Sequence, residues 1–153
     1  MRSTYQAKVT HKSGFAFEGS ARGHTFKYDI SAPQGGTDTG PTPKEALLGS
    51  IMSCSAMDVV SILKKHAMVP DLFEISSDAE TGTEHPRVFK QINIVYELTG
   101  AQLTSEKVIE AVEASMTKYC GVSAMVCAVS PMIYKIILNS EVIFNGKADF
   151  SKN

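Results

Sequence analysis

Apolar and polar residues alternate with a period of two near both ends of this chain, and a long stretch without that alternation lies between. Thr4 to Thr10, Gly14 to Gly19 and His24 to Ser31 alternate, most clearly where Phe26, Tyr28 and Ile30 stand against His24, Lys27 and Asp29. With turns at Gly14, Gly19 and Gly23, this predicts a meander of short antiparallel strands. Ser31 to Pro41, carrying Pro33, Gly35, Gly36 and Gly40, reads as a flexible connector. Thr42 to Ala67 then reads as one long helix. Thr42 is its N-cap, Pro43 takes the first helical position, and Glu45 completes a Thr-x-x-Glu capping box. Lys64, Lys65 and His66 suit the negative end of the helix dipole, and Pro70 follows the stop. Between its ends the helix is small or apolar on nearly every side, which predicts a helix enclosed by protein.

Two further strands are predicted at Leu72 to Thr81 and Val88 to Thr99, linked by a turn at Glu84-His85-Pro86. Ile92, Ile94, Tyr96 and Leu98 share one face of the second, and Gly100 ends it. A second helix is predicted from Thr104 to Tyr119, with Val108, Val112, Ser115 and Tyr119 along one stripe. Gly121 breaks that pattern directly after Cys120, and Val122 to Val129 reads as a short apolar helix. Pro131 introduces a strand at Met132 to Leu138, and the polar tail holds a short strand at Val142 to Phe144. Strands, helix, strands, helices and strand in that order make an α+β chain. Its 153 residues read as a single domain, 1–153.

Composition narrows the function. Apolar residues at 43% and charged residues at 20% are ordinary for a soluble globular protein. The net charge of −1, with scattered basic residues, carries no footprint for nucleic acid. The N-terminal residues lack the apolar core of a signal peptide. Ala46 to Leu63 has transmembrane length, but four serines, Cys54 and Asp58 interrupt it, so a core helix and no membrane association are expected. The expected compartment is the cytoplasm. Its reducing conditions make a cysteine pair a catalytic or metal-binding feature more often than a static staple. His11, His24, His66 and His85 have no paired spacing with cysteine or carboxylate, so no metal site is expected.

Cys54 lies near the middle of the long helix, and Cys120 lies 66 positions later on the second helical segment. Small residues flank both. Free cysteine often does no more than fill buried space, and spacing alone leaves that reading and a chemical one open. Cys127, inside the apolar run Ala124 to Val129, reads as packing.

Several motifs bear on the choice: Gly40-Pro41-Thr42-Pro43-Lys44-Glu45, the run Gly49 to Asp58 around Cys54, Glu84-His85-Pro86, and Lys118-Tyr119-Cys120-Gly121-Val122-Ser123. In this order and at this separation they resemble the OsmC/Ohr family of osmotically inducible and organic hydroperoxide resistance proteins, and most closely its YhfA-like branch. The resemblance implies antiparallel sheets packed around a long central helix in an intertwined homodimer. It also implies a thiol peroxidase without a cofactor, acting on organic hydroperoxides. Cys54 matches the cysteine that attacks the peroxide, and Cys120 the one that resolves its sulfenic acid as a disulfide. An external dithiol, in this family typically a lipoylated protein, resets the pair.

A free thiol has a pKa near 8.5, so Cys54 needs help to ionise at neutral pH. It sits mid-helix, away from the favourable helix end, and Asp58 four residues on shares its stripe. A cation is therefore expected from elsewhere. In the family it is an arginine from the N-terminal sheet, held by an acidic residue near the start of the long helix. Arg22 is the best candidate for the cation by position, with Arg87 and Lys118 as runners-up, and Glu45, one residue past the family's position, is the candidate acidic partner. Arg22 reads equally as a solvated turn residue, and Glu45 is already explained by its cap. Lys44 stands where well-studied members carry the glutamate. Ser55 replaces a frequent aromatic after the first cysteine, and Gly121 a frequent proline after the second, both read as changes at the substrate pocket. His85 and Ser123 are candidate pocket residues, although an isolated loop histidine such as His85 is more often a satisfied turn residue. Tyr119 reads as core. A redox-responsive or small-ligand-binding stress protein without efficient turnover is the alternative function.

Overall fold

The computed structural model describes residues 4–151. The chain gathers into two compact units that divide at Gly49, inside the long helix.

In the first unit, β1 (Lys8–Ser13), β2 (Ala16–Ala21) and β3 (His24–Tyr28) form an antiparallel sheet in the order β1-β2-β3. β1 starts four residues later than the alternation predicts and runs on to the turn at Gly14, whose φ of 51° falls in the left-handed region. β3 stops at Tyr28 rather than Ser31, because Asp29 turns the chain. Its carboxylate accepts the Ile30 N–H at 2.8 Å, the Thr37 hydroxyl and N–H at 2.6 and 3.1 Å, and the Thr39 hydroxyl and N–H at 2.9 and 3.2 Å. The connector expected to be flexible is thus folded around one buried carboxylate, with a 3-10 turn at Ala32–Gln34. These bonds, the Thr37 hydroxyl foremost, hold the Asp29 carboxyl well below the usual carboxylate range.

α1 (Pro43–Lys65) begins as its sequence predicts. The Glu45 carboxylate accepts the Thr42 N–H at 2.7 Å and its hydroxyl at 2.8 Å, and Thr42 Oγ1 accepts the Glu45 N–H at 3.4 Å. Further along, only Ile51, Ser55, Val59 and Leu63, four residues apart, are buried, while Met57 is 72% exposed. The expectation of a helix enclosed on every side fails within the single chain, where only one stripe of α1 is covered.

In the second unit, β4 (Leu72–Thr81), β5 (Phe89–Thr99), β6 (Met132–Leu138) and β7 (Glu141–Lys147) pair in that order. All pairs are antiparallel except β5 and β6, which run parallel. Between those two strands come α2 (Ser105–Ala114), a π-helical turn (Ser115–Tyr119) and α3 (Gly121–Cys127). Such a helical crossover is what a parallel pair requires, so the sheet is mixed where only antiparallel pairing was expected. β7 is longer than the stretch read from its apolar residues, since ladder bonds to β6 hold its polar positions too. Ile92, Ile94, Tyr96 and Leu98 of β5 are buried with Met132, Tyr134, Ile136 and Leu138 of β6, and this face forms the core.

Candidate functional site

The two helical segments that carry Cys54 and Cys120 meet within the second unit. Cys54 is half-buried on α1, one residue before the buried Ser55. Cys120 is fully buried, and the Cys54 thiol is near enough to act on its protonation. All three cysteines are free thiols.

Local structure explains how Cys120 comes to face inward. α2 is capped by Thr104, whose side chain accepts the Lys107 N–H at 3.4 Å, and it buries Val108, Ala111 and Val112. A regular continuation would follow the predicted stripe from Val112 through Ser115 to Tyr119. Instead the chain widens into the π turn, closed by the Cys120 N–H donating to the Ser115 carbonyl at 3.0 Å, five residues back. The wider turn rotates the following side chains. Ser115, Met116 and Cys120 are buried, and Tyr119, expected in the core, is 54% exposed with the Lys118 ammonium 5.2 Å from its ring centre.

The Cys120 sulfur then caps α3. It accepts the Ser123 hydroxyl at 2.9 Å and the Ser123 N–H at 3.4 Å. Burial pushes the Cys120 thiol pKa up, the two Ser123 donors pull it down, and the neighbouring Cys54 pushes it up again. Ser123, expected as a pocket residue, is instead buried and bonded to the sulfur.

A chain of buried polar groups runs beside the thiols. Ser115 donates to the Asp58 carboxylate at 3.0 Å, Ser115 and Ser55 oxygens lie 2.9 Å apart, and Ser55 and the Tyr96 hydroxyl 2.7 Å apart. Ser55, Tyr96 and Ser115 have no exposed surface. Burial pushes the Tyr96 phenol well above its ordinary pKa. Ser55, read from the sequence as a change at the substrate pocket, is therefore a core residue. The sequence did carry a signal for the three hydroxyls: each interrupts an otherwise apolar stripe, Ile51–Ser55–Val59, Val108–Val112–Ser115 and Ile94–Tyr96–Leu98.

The structure thus brings together Cys54, Cys120 and Ser123. Arg22 is exposed in the turn between β2 and β3, with φ of 50° before Gly23 at 81°, and belongs with Glu45 to the unit that ends at Gly49. The bonds from Thr42 hold the Glu45 carboxyl below its ordinary value. Arg87 and Lys118 are exposed, and so is His85, which precedes a cis bond to Pro86; no hydrogen bond joins His85 to the cysteines among the described residues. Cys127 is half-buried at the end of α3, its thiol 3.6 Å from the Ala148 carbonyl oxygen. Among the described residues no three His, Cys, Asp or Glu side chains cluster as a metal site would. α1 is long and apolar enough to cross a membrane, but Ser55 and Asp58 join it to buried groups of the same unit.

Comparison with known proteins adds a family and a set of folds. Residues 36–134, a span that crosses the division at Gly49, match the family model described as OsmC-like protein. Protein YhfA of Escherichia coli strain K12 is 38% identical over 121 residues, covering 78% of this chain and 87% of the relative. A hypothetical protein from Aquifex aeolicus VF5 superposes with a TM-score of 0.80 at 26% identity, over 90% of this chain and 98% of that one. An organic hydroperoxide resistance protein from Elizabethkingia anophelis superposes with a TM-score of 0.61 at 15% identity, over 92% and 99% of the two chains. At that identity the likeness is one of fold.

Proposed function

The chain belongs to the OsmC-like protein family, and on that premise we propose that it is a thiol-dependent peroxidase that reduces organic hydroperoxides to alcohols. The observation that carries the reading is the unequal pair of neighbouring thiols: one half-buried on α1, the other fully buried and electrostatically coupled to it. The accessible thiol is the one a peroxide reaches. The Cys54 thiolate attacks the O–O bond of ROOH, giving the Cys54 sulfenic acid and an alkoxide that leaves as ROH with a proton from solvent. The Cys120 thiol, kept protonated by burial until then, attacks the sulfenic sulfur; the S–S bond forms and water leaves. A dithiol, of the class carried by a lipoylated protein, then takes the disulfide back to two thiols and becomes oxidised itself.

This reading assigns Arg22, held by Glu45, to stabilising the Cys54 thiolate. It takes the protein to be cytoplasmic and to be a homodimer, the latter because α1 leaves Met57 and a groove of about 410 Å³ beside it uncovered in one chain. One observation favours a slower protein: Glu45 is engaged by Thr42, and Lys44 stands where the family's well-studied members carry their clamp glutamate. The second reading is accordingly a redox-responsive or ligand-binding stress protein that forms the disulfide without efficient turnover.

Single-turnover consumption of cumene hydroperoxide and hydrogen peroxide separates the two. Peroxidase activity predicts fast consumption of cumene hydroperoxide, abolished in Cys54→Ser, and a single unresolved turnover in Cys120→Ser. Consumption no faster than by a free thiol would sink the peroxidase reading. Titration of the Cys54 thiolate tests Arg22: a titration that Arg22→Ala leaves unchanged removes it from the site.

A further inference from the structure

Two thiols on different segments form a bond quickly only if the segments are held in register, with Cα atoms about 4.4–6.8 Å apart. Resting on the two-thiol reading, we propose that Ser115 is the positioning residue that holds this register, through a clamp formed by Tyr96, Ser55, Ser115 and Asp58.

The bonding pattern has one direction. A hydroxyl carries one proton and a carboxylate accepts only. Ser115 donates to Asp58 at 3.0 Å, so its proton is committed. The 2.9 Å contact between Ser115 and Ser55 therefore uses the Ser55 proton, and the 2.7 Å contact between Ser55 and Tyr96 uses the phenolic one. Three protons make three oxygen–oxygen hydrogen bonds, running from Tyr96 to the Asp58 carboxylate, with the Met116 sulfur a longer, weaker second acceptor for Ser55 at 3.8 Å.

Ser115 also acts through its backbone. Its carbonyl accepts the Cys120 N–H that closes the π turn, and its hydroxyl is bonded to Ser55, the chain neighbour of Cys54. The links Cys54–Ser55, Ser55–Ser115 and Ser115–Cys120, two peptide segments and one hydrogen bond, lead from one thiol to its neighbour. Ser115 joins the two segments through its hydroxyl and closes the π turn onto Cys120 through its carbonyl. The extra residue of the π turn is what points Cys120 rather than Tyr119 inward. Stability alone does not call for such a chain, since replacing every partner of a buried hydrogen-bond group by apolar residues of similar shape is often nearly neutral. Its position against both thiols accounts for it.

The test is the equilibrium of the reduced protein with dithiothreitol. Cys54–SH and Cys120–SH plus oxidised dithiothreitol give the protein disulfide plus reduced dithiothreitol, with two electrons and two protons transferred. The ratio reports how concentrated one thiol is at the other. Ser115→Ala is expected to lower this equilibrium constant by about tenfold or more, equivalent to ~30 mV. Ser115→Thr, which keeps the hydroxyl, should restore most of the loss, a rescue that mere loosening of the fold would not give. A constant within about twofold of the wild type in folded Ser115→Ala overturns the clamp. If that variant does not fold, Tyr96→Phe carries the test: a fall of about threefold supports the clamp, and an unchanged constant overturns it. A wild type that forms no disulfide in oxidised dithiothreitol overturns the two-thiol reading and the clamp together. If the wild type forms the disulfide but consumes no hydroperoxide, the peroxidase reading alone falls, and the Ser115 comparison still decides the clamp.

Discussion

Ser115→Ala removes two hydrogen bonds at once from the reduced protein, the 3.0 Å donation to Asp58 and the 2.9 Å contact with Ser55. Ser55 and Tyr96 then share two protons and one oxygen–oxygen hydrogen bond, so one fully buried proton is left with only the Met116 sulfur, 3.8 Å from Ser55 Oγ, as a weak acceptor. Such an orphan costs about 1–3 kcal/mol. Asp58 is only half-buried and regains water, so it adds little. Tyr96→Phe deletes one neutral bond and leaves only an unfilled lone pair on Ser55, at a cost of about 0.5–1.5 kcal/mol. For a chain of this length each kcal/mol is worth about 2–4 °C in Tm. Ser115→Ala should therefore melt about 4–8 °C lower at a midrange cost of ~2 kcal/mol, and Tyr96→Phe about 2–4 °C lower. The decisive variant combines Ser55→Ala, Ser115→Ala and Tyr96→Phe. It removes every hydroxyl in the chain and leaves no orphaned donor, so its cost should fall below the sum of the three single variants by ~1 kcal/mol or more. Urea unfolding under reducing conditions measures all of these. Strict additivity, within about 0.5 kcal/mol, would refute the argument that the hydroxyls act as one directed chain.

Three further outcomes follow from the same geometry. The Cys120 pKa is raised in the folded state, so its contribution to stability is complete below the unfolded value of about 8.5 and is lost as pH rises through the folded one; the reduced protein should weaken on the alkaline side, and Cys120→Ser should remove that slope in urea unfolding. Asp29 has the opposite sign. Its folded pKa is depressed, so its contribution is complete above about pH 3.9 and is lost on further acidification; Asp29→Asn should flatten the acid limb of the stability profile. Gly36→Ala should destabilise more than Gly19→Ala when the two are compared by thermal melting. A Cβ at Gly36 would clash with the fixed Ile30 carbonyl oxygen, whereas at Gly19 it meets the Phe26 ring, which is partly exposed and able to swing aside. Equal melting temperatures would contradict this.

What the sequence determined by itself is local. The Thr42–Glu45 capping box, the turn at Gly14 and the buried face of β5 were all legible, because each is set by residues within a few positions of one another and by the period of their own element. The positions of Cys54 and Cys120 were legible too, and the family resemblance made them partners on paper. The π turn was not legible, since Val108, Val112, Ser115 and Tyr119 fit an ordinary helical stripe. Only the packing of Met116 and Cys120 against the rest of the unit selects the wider turn that turns Tyr119 out. The parallel pairing of β5 with β6 and the folding of the connector around Asp29 were likewise invisible to a reading of short windows. The bond between Ser55 and Ser115 spans 60 residues, and no periodicity in either helix encodes it. A serine in an apolar stripe announces a polar group in the core. Which partner satisfies it is decided when the elements pack, because a buried hydroxyl must find its acceptor among whatever side chains the tertiary structure brings within about 3 Å.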